Sequence, residues 1–138
     1  MTKDRDHMRE ERMEIDRPEI VAEVEAAFRR YETALVNNDV EMLEALFWDD
    51  SRTIRYGATE NLHGMDEIRA FRRARSPVGL ARSVERVAIT TFGRDFATAT
   101  ILFRRDSAPG KVGRQMQSWV RMSNGWRVVA AQVSVIDG

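Results

Sequence analysis

The segment LFWDDSRTIRYGATENLHG, residues 46–64, combines charged, aromatic and turn-forming residues whose spacing could support chemistry. Arg55 stands within TIRYG, a run otherwise typical of a β-strand, shortly after Asp49 and Asp50. A guanidinium carries five donors and stays protonated at neutral pH, so it suits a carboxylate and cannot act as a general base. Two interpretations of Arg55 are open: an exposed ion pair with these acids, or an anion-binding group that faces a pocket.

Tyr31 is the second residue of chemical interest. It lies in EIVAEVEAAFRRYETALV, where apolar residues recur at the spacing of a helix face. A tyrosine at such a position is either core packing with its hydroxyl at the edge or, beside an arginine, a donor to a polar substrate atom. Nearby positive charge favours the second role because it stabilises the phenolate that proton donation leaves behind.

Polar and aromatic side chains also alternate along the last two predicted strands. Alternate residues of a strand face the same side of a sheet, so these side chains are placed either to line a pocket or to pack within the sheet. Two aromatic residues near Arg55 are candidates for the pocket mouth. The predicted substrate-binding residues are Trp48, Arg55, Tyr56, Gln117, Trp119, Gln132 and Ser134.

Several kinds of site are not expected in this chain. It contains no cysteine and two histidines, His7 in a charged N-terminal stretch and His63 in a predicted turn, so we predict no metal site. No cofactor is predicted either. The sequence contains no Ser-His-Asp arrangement, glycine-rich phosphate loop or glycosidase-like carboxylate pair.

Composition indicates one domain and excludes some partners. The chain has 138 residues, 43% of them hydrophobic, and equal numbers of basic and acidic side chains. A neutral protein has no field that would attract nucleic acid or an anionic membrane. We find no 18-residue apolar run or secretory signal, and with no cysteine present we expect a cytoplasmic protein. Residues 1–16 are predicted to be a flexible charged extension, and residues 17–138 a single domain.

The elements that must position Arg55 and Tyr31 can be predicted from periodicity. A first helix begins near Pro18, and a second, VEMLEALF, follows a capping Asp39. RTIRY and a short return strand precede a third helix, MDEIRAFRRAR. Four long strands separated by hairpin turns complete the chain. The sequence therefore predicts an α+β fold, in which N-terminal helices pack inside a strongly curved, mainly antiparallel sheet.

This element order, with RRYETALVNNDVEMLEALFWDD and the final GWRVVAAQVS, resembles the nuclear transport factor 2-like cone, a cystatin-like α+β roll shared with ketosteroid isomerase. Within that superfamily, FWDDSRTIRYGATENLHG, IRAFRRAR, RDFATA and GRQMQSWVR are similar to the AtzH-like proteins. The resemblance implies a pocket between sheet and helices and a homodimer formed through the sheet. We expect the dimer to cover apolar residues on the outer face of the sheet, at Val87, Ile89, Ile101, Val120 and Val129.

The resemblance also assigns roles to residues. Ketosteroid isomerase uses an aspartate as general base, and the corresponding position here is Arg55, so steroid-type enolisation is not expected. The AtzH-like resemblance implies that Tyr31 and Arg55 are the catalytic residues. It leads us to expect histidine in the last strand where this chain has Gln132, so a titrating role at that position is not expected.

The function implied by the resemblance is cleavage of the N–carboxyl bond of a carboxylated urea or ureide-type anion, by decarboxylation or hydrolysis. Such chemistry belongs to the breakdown of oxalurate or nitrogen heterocycles and needs no metal. The alternative is a non-catalytic dimeric accessory or ligand-binding module that works beside an amidase, because one fold can serve either role.

Overall fold

The computed structural model describes residues 13–138. Within them, three helices precede or interrupt a sheet of six strands. The helices are α1 (Pro18–Val36), α2 (Val40–Leu46) and α3 (Met65–Ala74). The strands are β1 (Ile54–Tyr56), β2 (Asn61–His63), β3 (Ser83–Phe92), β4 (Phe96–Arg104), β5 (Lys111–Met122) and β6 (Gly125–Asp137).

The strands form one sheet in the order β2-β1-β6-β5-β4-β3. The strands from β3 to β6 pair with their sequence neighbours as antiparallel hairpins, and β1 lies parallel to β6. The parallel pair places the short β1–β2 hairpin beside the last strand, so early and late parts of the chain meet at one end of the sheet. The α+β class with a mainly antiparallel sheet is as predicted.

The core lies between the inner face of the sheet and α1. Pro18 suits the first turn of α1 because its fixed φ matches the helix and its missing N–H is not needed there. The Asp39 side chain caps α2 by accepting from the backbone N–H of Met42 at 3.1 Å. Each large side chain that becomes fully buried stabilises the fold by roughly 1.5–3 kcal/mol. The buried side of α1 carries Ile20, Val24, Ala27, Phe28, Tyr31, Ala34 and Leu35.

A β-bulge in β6 reverses which residues of that strand face inward. Ser118 pairs with Ala130 and Trp119 with Val128, so Val129 has no partner of its own on β5. One extra residue moves every following side chain to the other face. The predicted inward direction of Gln132 and Ser134, which assumed strict alternation, is therefore wrong: both lie on the outer face of the sheet.

Three of the five apolar residues that were predicted for the outer face of the sheet, Val87, Ile89 and Ile101, lie on the inner face instead. Val87 pairs with Ile101 and Ile89 with Ala99, and this row belongs to the inner face, where Ile101 is 3% exposed. The direction was assigned wrongly because four long strands with apolar residues on both faces do not reveal which face is inward. Val120 does lie on the outer face, opposite Phe96.

Residues 14–16, which were predicted to belong to a flexible extension, pair with the edge of the sheet. Ile15 forms an antiparallel bridge with Phe92, and the Asp16 carboxylate accepts from the backbone N–H of Thr91 at 2.8 Å. The edge strand attracts them because its backbone groups would otherwise lack partners. The predicted extension is therefore ordered at its C-terminal end, and residues 1–12 lie outside the described residues.

In residues 13–138, none of the helices has both the length and the apolar character that crossing a membrane requires.

Candidate functional site

A small cavity of about 180 Å³ lies between α1, the β1–β2 hairpin, the segment after α3 and the inner face of the sheet. It is distinguished by the number of charged side chains that line it. A larger groove between α1 and β3, about 540 Å³, is lined mainly by apolar residues. The polar side chains that line the small cavity are Tyr31, Arg55, Glu60, Arg75, Arg82, Arg105 and Gln115.

Arg55 projects into this cavity from the inner face of β1 and is 7% exposed. Its Nη1 donates to Glu60 Oε1 at 2.8 Å, and its guanidinium lies 5.3 Å from the ring centre of Phe71. Among the described residues, Nη1 is the one Arg55 nitrogen that donates to an acid, so the other donors of the guanidinium are not engaged by a carboxylate. This arrangement matches the inward-facing interpretation of Arg55 and not the exposed ion pair.

The two acids that precede Arg55 in the sequence do not hold it. Asp50 pairs with Arg52 at 2.8 Å, and Asp49 accepts from Arg69 Nη2 at 3.1 Å. Both pairs lie at the surface, away from the cavity. Of the two open interpretations, the exposed ion pair of Arg55 with these acids is therefore wrong, because the hairpin brings a different acid, Glu60, onto the inner face.

Glu60 reaches Arg55 because of the tight β1–β2 hairpin. The backbone N–H of Gly57 donates to the Glu60 carbonyl at 2.9 Å, which places residues 57 and 60 opposite each other. A Cβ at Gly57 would lie 1.7 Å from Glu60 Oε1, so the missing side chain makes room for the carboxylate. Burial raises the pKa of Glu60, but hydrogen bonds from Thr59 and Arg55 outweigh it and lower that pKa below its usual range.

Tyr31 enters the same cavity from α1. Its side chain is buried, and its ring centre lies 6.2 Å from that of Phe47. The helix places Tyr31 on the face that packs against the sheet, and its side chain lines the cavity that Arg55 also lines. The two predicted catalytic residues, which are 24 positions apart in the sequence, thus line one cavity.

Arg75 and Arg105 add positive charge that no described acid neutralises. Neither forms an ion pair with the described residues. Nε and Nη2 of Arg75, and Nε of Arg105, have no hydrogen-bond partner there. Burial lowers the pKa of both guanidinium groups, and neighbouring arginines add to this effect. Buried donors without partners are costly, so this end of the cavity favours an anion.

Arg82 differs from these two because an acid holds it. Its Nε donates to Glu32 Oε2 at 3.2 Å, and its Nη2 donates both to Glu32 Oε1 and, at 3.0 Å, to Gln115 Oε1. Its guanidinium lies 4.4 Å from the ring centre of Phe103. The side chain is 1% exposed, so Arg82 is a fixed part of the cavity wall.

Arg72 is a further buried cation just outside the cavity lining. Its Nη1 donates to the Leu43 carbonyl at 3.1 Å, and its guanidinium lies 4.1 Å from the ring centre of Phe47. Burial lowers the pKa of Arg72 to about 10. Even so, the group remains mostly protonated at neutral pH and contributes to the positive potential around Tyr31.

Two of the predicted substrate-binding residues lie in the core and not in the cavity wall. Trp119 is fully buried, and its Nε1 donates to Gln117 Oε1 at 3.1 Å. Both face inward, as their alternation predicts, but the side chain that reaches the cavity on β5 is Gln115, two residues earlier. The predicted placement of Gln117 and Trp119 in the pocket wall is therefore wrong, by one inward-facing position for Gln117 and by two for Trp119.

Four other predicted residues point elsewhere. The Tyr56 hydroxyl lies 3.1 Å from His63 Nε2 on the outer face, and Ser134 Oγ accepts from Arg114 Nε at 3.1 Å. Gln132 is exposed on that face.

Trp48, the fourth of these residues, follows α2 and stacks with Arg52, whose Cζ lies 4.7 Å from the ring centre. None of the four lines the cavity, because alternation on β1, the bulge in β6 and the course of the α2–β1 link turn them away.

Five polar residues that line the cavity were not predicted from the sequence, and strand alternation could have identified two of them. Gln115 lies two residues before Gln117 on β5, so both face the same side of the sheet. In the β1–β2 hairpin, the pairing puts Glu60 on the side of the sheet that Arg55 faces. The other three, Arg75, Arg82 and Arg105, lie in the segments that follow α3 and β4, where periodicity gives no direction.

Within residues 13–138, no group of three or more His, Asp or Glu side chains is arranged to hold a metal ion. The prediction that the protein uses no metal or cofactor stays a prediction.

Comparison with known proteins gives a family match along the described chain. Residues 13–138 match the family model described as AtzH-like. A solved structure of a protein of unknown function from Pectobacterium atrosepticum is 52% identical, and the match covers 89% of this chain and 95% of that one with a TM-score of 0.87. A cystatin-like fold protein from Burkholderia xenovorans is 50% identical, with 91% and 98% covered and a TM-score of 0.88.

More distant structures share the fold alone. A nuclear transport factor 2-like protein of unknown function from Pseudomonas putida is 18% identical, and the match covers 82% of this chain and 84% of that one with a TM-score of 0.70. No curated protein matches the chain. These similarities agree with the cone-shaped α+β fold predicted from the sequence.

Proposed function

The chain belongs to the AtzH-like family, and from this and its arginine-lined cavity we propose that the protein is an enzyme that cleaves the N–carboxyl bond of a small carboxylated urea. The observation that carries the proposal is the presence of Arg55 and Tyr31 in one cavity. Arg55 offers a planar donor group for a carboxylate, and Tyr31 offers a hydroxyl that can deliver a proton.

The charge and size of the cavity support a small anion. Arg75 and Arg105 have unpartnered donors there, and an anionic ligand would supply their missing acceptors. The volume of about 180 Å³ is below the roughly 300–1,000 Å³ of pockets for drug-sized ligands. A carboxylated urea, with few atoms and one negative charge, fits both properties.

In the proposed reaction, Arg55 binds the carboxylate of the substrate while the Tyr31 hydroxyl faces the adjacent urea nitrogen. Tyr31 donates its proton to that nitrogen, and the bond between nitrogen and the carboxyl carbon breaks. The electron pair of this bond stays with nitrogen, so the products are carbon dioxide and the free urea. Solvent then returns a proton to the phenolate, which the surrounding guanidinium groups stabilise meanwhile.

Hydrolysis of the same bond is the second route, in which water attacks the carboxyl carbon and bicarbonate leaves. Decarboxylation needs only the proton donor and the carboxylate site that line the cavity. We therefore favour decarboxylation. The species formed first, carbon dioxide or bicarbonate, distinguishes the two routes when the reaction is followed faster than their interconversion.

A non-catalytic accessory or ligand-binding module is the other candidate function. It is favoured by the ion pair between Arg55 and Glu60, which neutralises Arg55 without any ligand. Such a module would act as a dimer beside an amidase, as the family resemblance implies. It would bind an anion in the cavity without turning it over.

Incubation of the protein with N-carboxyurea separates the two functions. An enzyme releases carbon dioxide and urea above the spontaneous rate, and Arg55→Met abolishes the excess because the carboxylate loses its partner. Arg52→Met is the matched control, since Arg52 pairs with Asp50 at the surface. No acceleration by the wild-type protein, under conditions where N-carboxyurea binds, would favour the accessory module.

A further inference from the structure

Gln115 presents a donor group to the cavity that no described residue uses. Its side chain projects from the inner face of β5 and is 1% exposed. Its Oε1 accepts from Arg82 Nη2 at 3.0 Å, whereas its Nε2 has no hydrogen-bond partner among residues 13–138. An amide NH2 that is buried without an acceptor is unfavourable, so its retention at a cavity wall points to a ligand.

The orientation of this amide is fixed by its neighbours. A guanidinium only donates, so the Gln115 amide must turn its oxygen toward Arg82 and its NH2 away from it. Arg82 cannot turn aside, because two of its nitrogens bind the Glu32 carboxylate and its planar group packs on Phe103. Glu32 and Arg82 thus act as positioning residues that keep the NH2 of Gln115 available.

We propose that Gln115 is a specificity-determining residue, which donates a hydrogen bond to the carbonyl oxygen of the ligand whose carboxylate binds Arg55. The ligand class rests on the proposed function. Gln115 and Arg82 present donors at this wall, so a ligand with an oxygen acceptor here is favoured and one with only a hydrocarbon group leaves the NH2 unpaired. Gln115 would therefore distinguish carboxylates that carry a neighbouring carbonyl from simple carboxylates.

Two probes of similar shape test this property. Malonamate carries a carboxylate and an amide carbonyl and has a CH2 where N-carboxyurea has its N–H, so it cannot react by nitrogen protonation. Butanoate keeps the carboxylate and has no second carbonyl group. Calorimetric titration of the wild-type protein should show tighter binding of malonamate than of butanoate.

Gln115→Met should remove this preference. Malonamate affinity should fall by roughly tenfold, the size expected for one hydrogen bond in a dry site, and butanoate affinity should stay unchanged. Gln115→Glu should also lower the ratio of malonamate to butanoate affinity, because its carboxylate binds Arg82 but has no hydrogen to donate, while its negative charge weakens the binding of both probes. The Gln115→Glu variant replaces Gln115→Met in this test if Gln115→Met fails to fold.

Gln117→Met is the matched control. Gln117 lies on the same strand and face, is 2% exposed and also has an unpartnered Nε2, but it does not line the cavity. This variant should keep the preference for malonamate. Equal loss in both variants would mean that the effect comes from disturbed packing, and it would overturn the proposal.

The positioning role of Arg82 has its own readout, the ratio of malonamate to butanoate affinity. Arg82→Met should lower this ratio because the Gln115 amide becomes free to turn. Arg82→Lys should restore much of it, since an ammonium also donates to Gln115 Oε1. A ratio unaffected by Arg82→Met would contradict the orientation argued for Gln115.

Failure of this inference is distinguishable from failure of the proposed function. If the wild-type protein prefers malonamate but does not accelerate N-carboxyurea cleavage, the inference about Gln115 is supported and the proposed enzymatic function is contradicted. If the wild-type protein turns over N-carboxyurea and Gln115→Met keeps the preference for malonamate, the inference about Gln115 is contradicted and the proposed function is not. Wild-type protein that binds neither probe, or binds both equally, would also overturn the inference.

Discussion

At the scale of single residues, the shape of the guanidinium of Arg55 matters as much as its charge. Arg55 lies in the wall of a small cavity with Tyr31, and one of its nitrogens already binds Glu60. A ligand carboxylate must therefore use the remaining donors or displace Glu60. Both possibilities depend on a planar group with several N–H donors, which lysine does not have.

We predict that Arg55→Lys weakens the binding of carboxylate ligands by roughly tenfold although it keeps the positive charge, because a point charge cannot form two parallel hydrogen bonds. Titration with malonamate measures this effect. Arg52→Lys is the control, because Arg52 is exposed and pairs with Asp50. Equal affinity in Arg55→Lys and wild type would show that the carboxylate does not bind the Arg55 guanidinium.

We predict that Glu60→Gln strengthens anion binding several-fold, since it removes the negative charge that competes for Arg55. Gly57→Ala should act in the same direction, because its new Cβ would lie 1.7 Å from Glu60 Oε1 and force the carboxylate away. Titration with butanoate gives the affinities. Glu44→Gln, which alters an acid paired with Arg73 outside the cavity, should change nothing. Weaker binding in Glu60→Gln would mean that Glu60 orients Arg55 for its ligand.

At the scale of elements, alternation and helical periodicity were sufficient for the helices, for the strands and for placing Tyr31 on the packed face of α1. The inward direction of Arg55 was left open by alternation and was expected only from the family resemblance. These patterns failed in β6 because the extra residue Val129 reverses the direction of later side chains, and nothing in GWRVVAAQVS marks a bulge. They also gave no direction for Arg75 and Arg105, which lie outside regular elements. Most of the cavity charge was therefore not predictable from local patterns.

The N-terminal segment provides a prediction at the same scale. Deletion of residues 1–12 should leave the melting temperature unchanged, because residues 14–16 remain to pair with β3. Deletion of residues 1–16 should lower it, since the Ile15 bridge and the Asp16 hydrogen bond are lost. Thermal unfolding of the two truncated chains gives the comparison. An equally large loss in both would show that residues 1–12 contribute to stability.

At the scale of the whole molecule, the outer face of the sheet has the features of an interface. A hollow there is lined by a mixture of polar and apolar side chains, and Met116 is 62% exposed. Methionine is enriched in protein interfaces relative to the rest of the surface. The residues that line the hollow include Ile54, Tyr56, Thr98, Thr100, Met116, Ser118, Ala130 and Gln132.

We predict a homodimer through this face, and we expect Met116→Glu to convert it to a monomer because two buried carboxylates would repel each other across a two-fold axis. Light scattering at micromolar concentration gives the mass. Val78→Glu, at a residue that is 84% exposed in the segment after α3, should leave the dimer intact. A monomeric wild-type protein at that concentration would contradict the prediction.

The central claim is that Tyr31 donates the proton in a cavity where Arg55 holds the carboxylate. The most direct test compares turnover of N-carboxyurea by the wild type and by Tyr31→Phe, with malonamate affinity measured on both proteins. Loss of one hydroxyl from a cavity that keeps its shape should reduce kcat by about 10²–10⁴ and leave malonamate affinity nearly unchanged. Equal turnover by the wild type and Tyr31→Phe would contradict the claim.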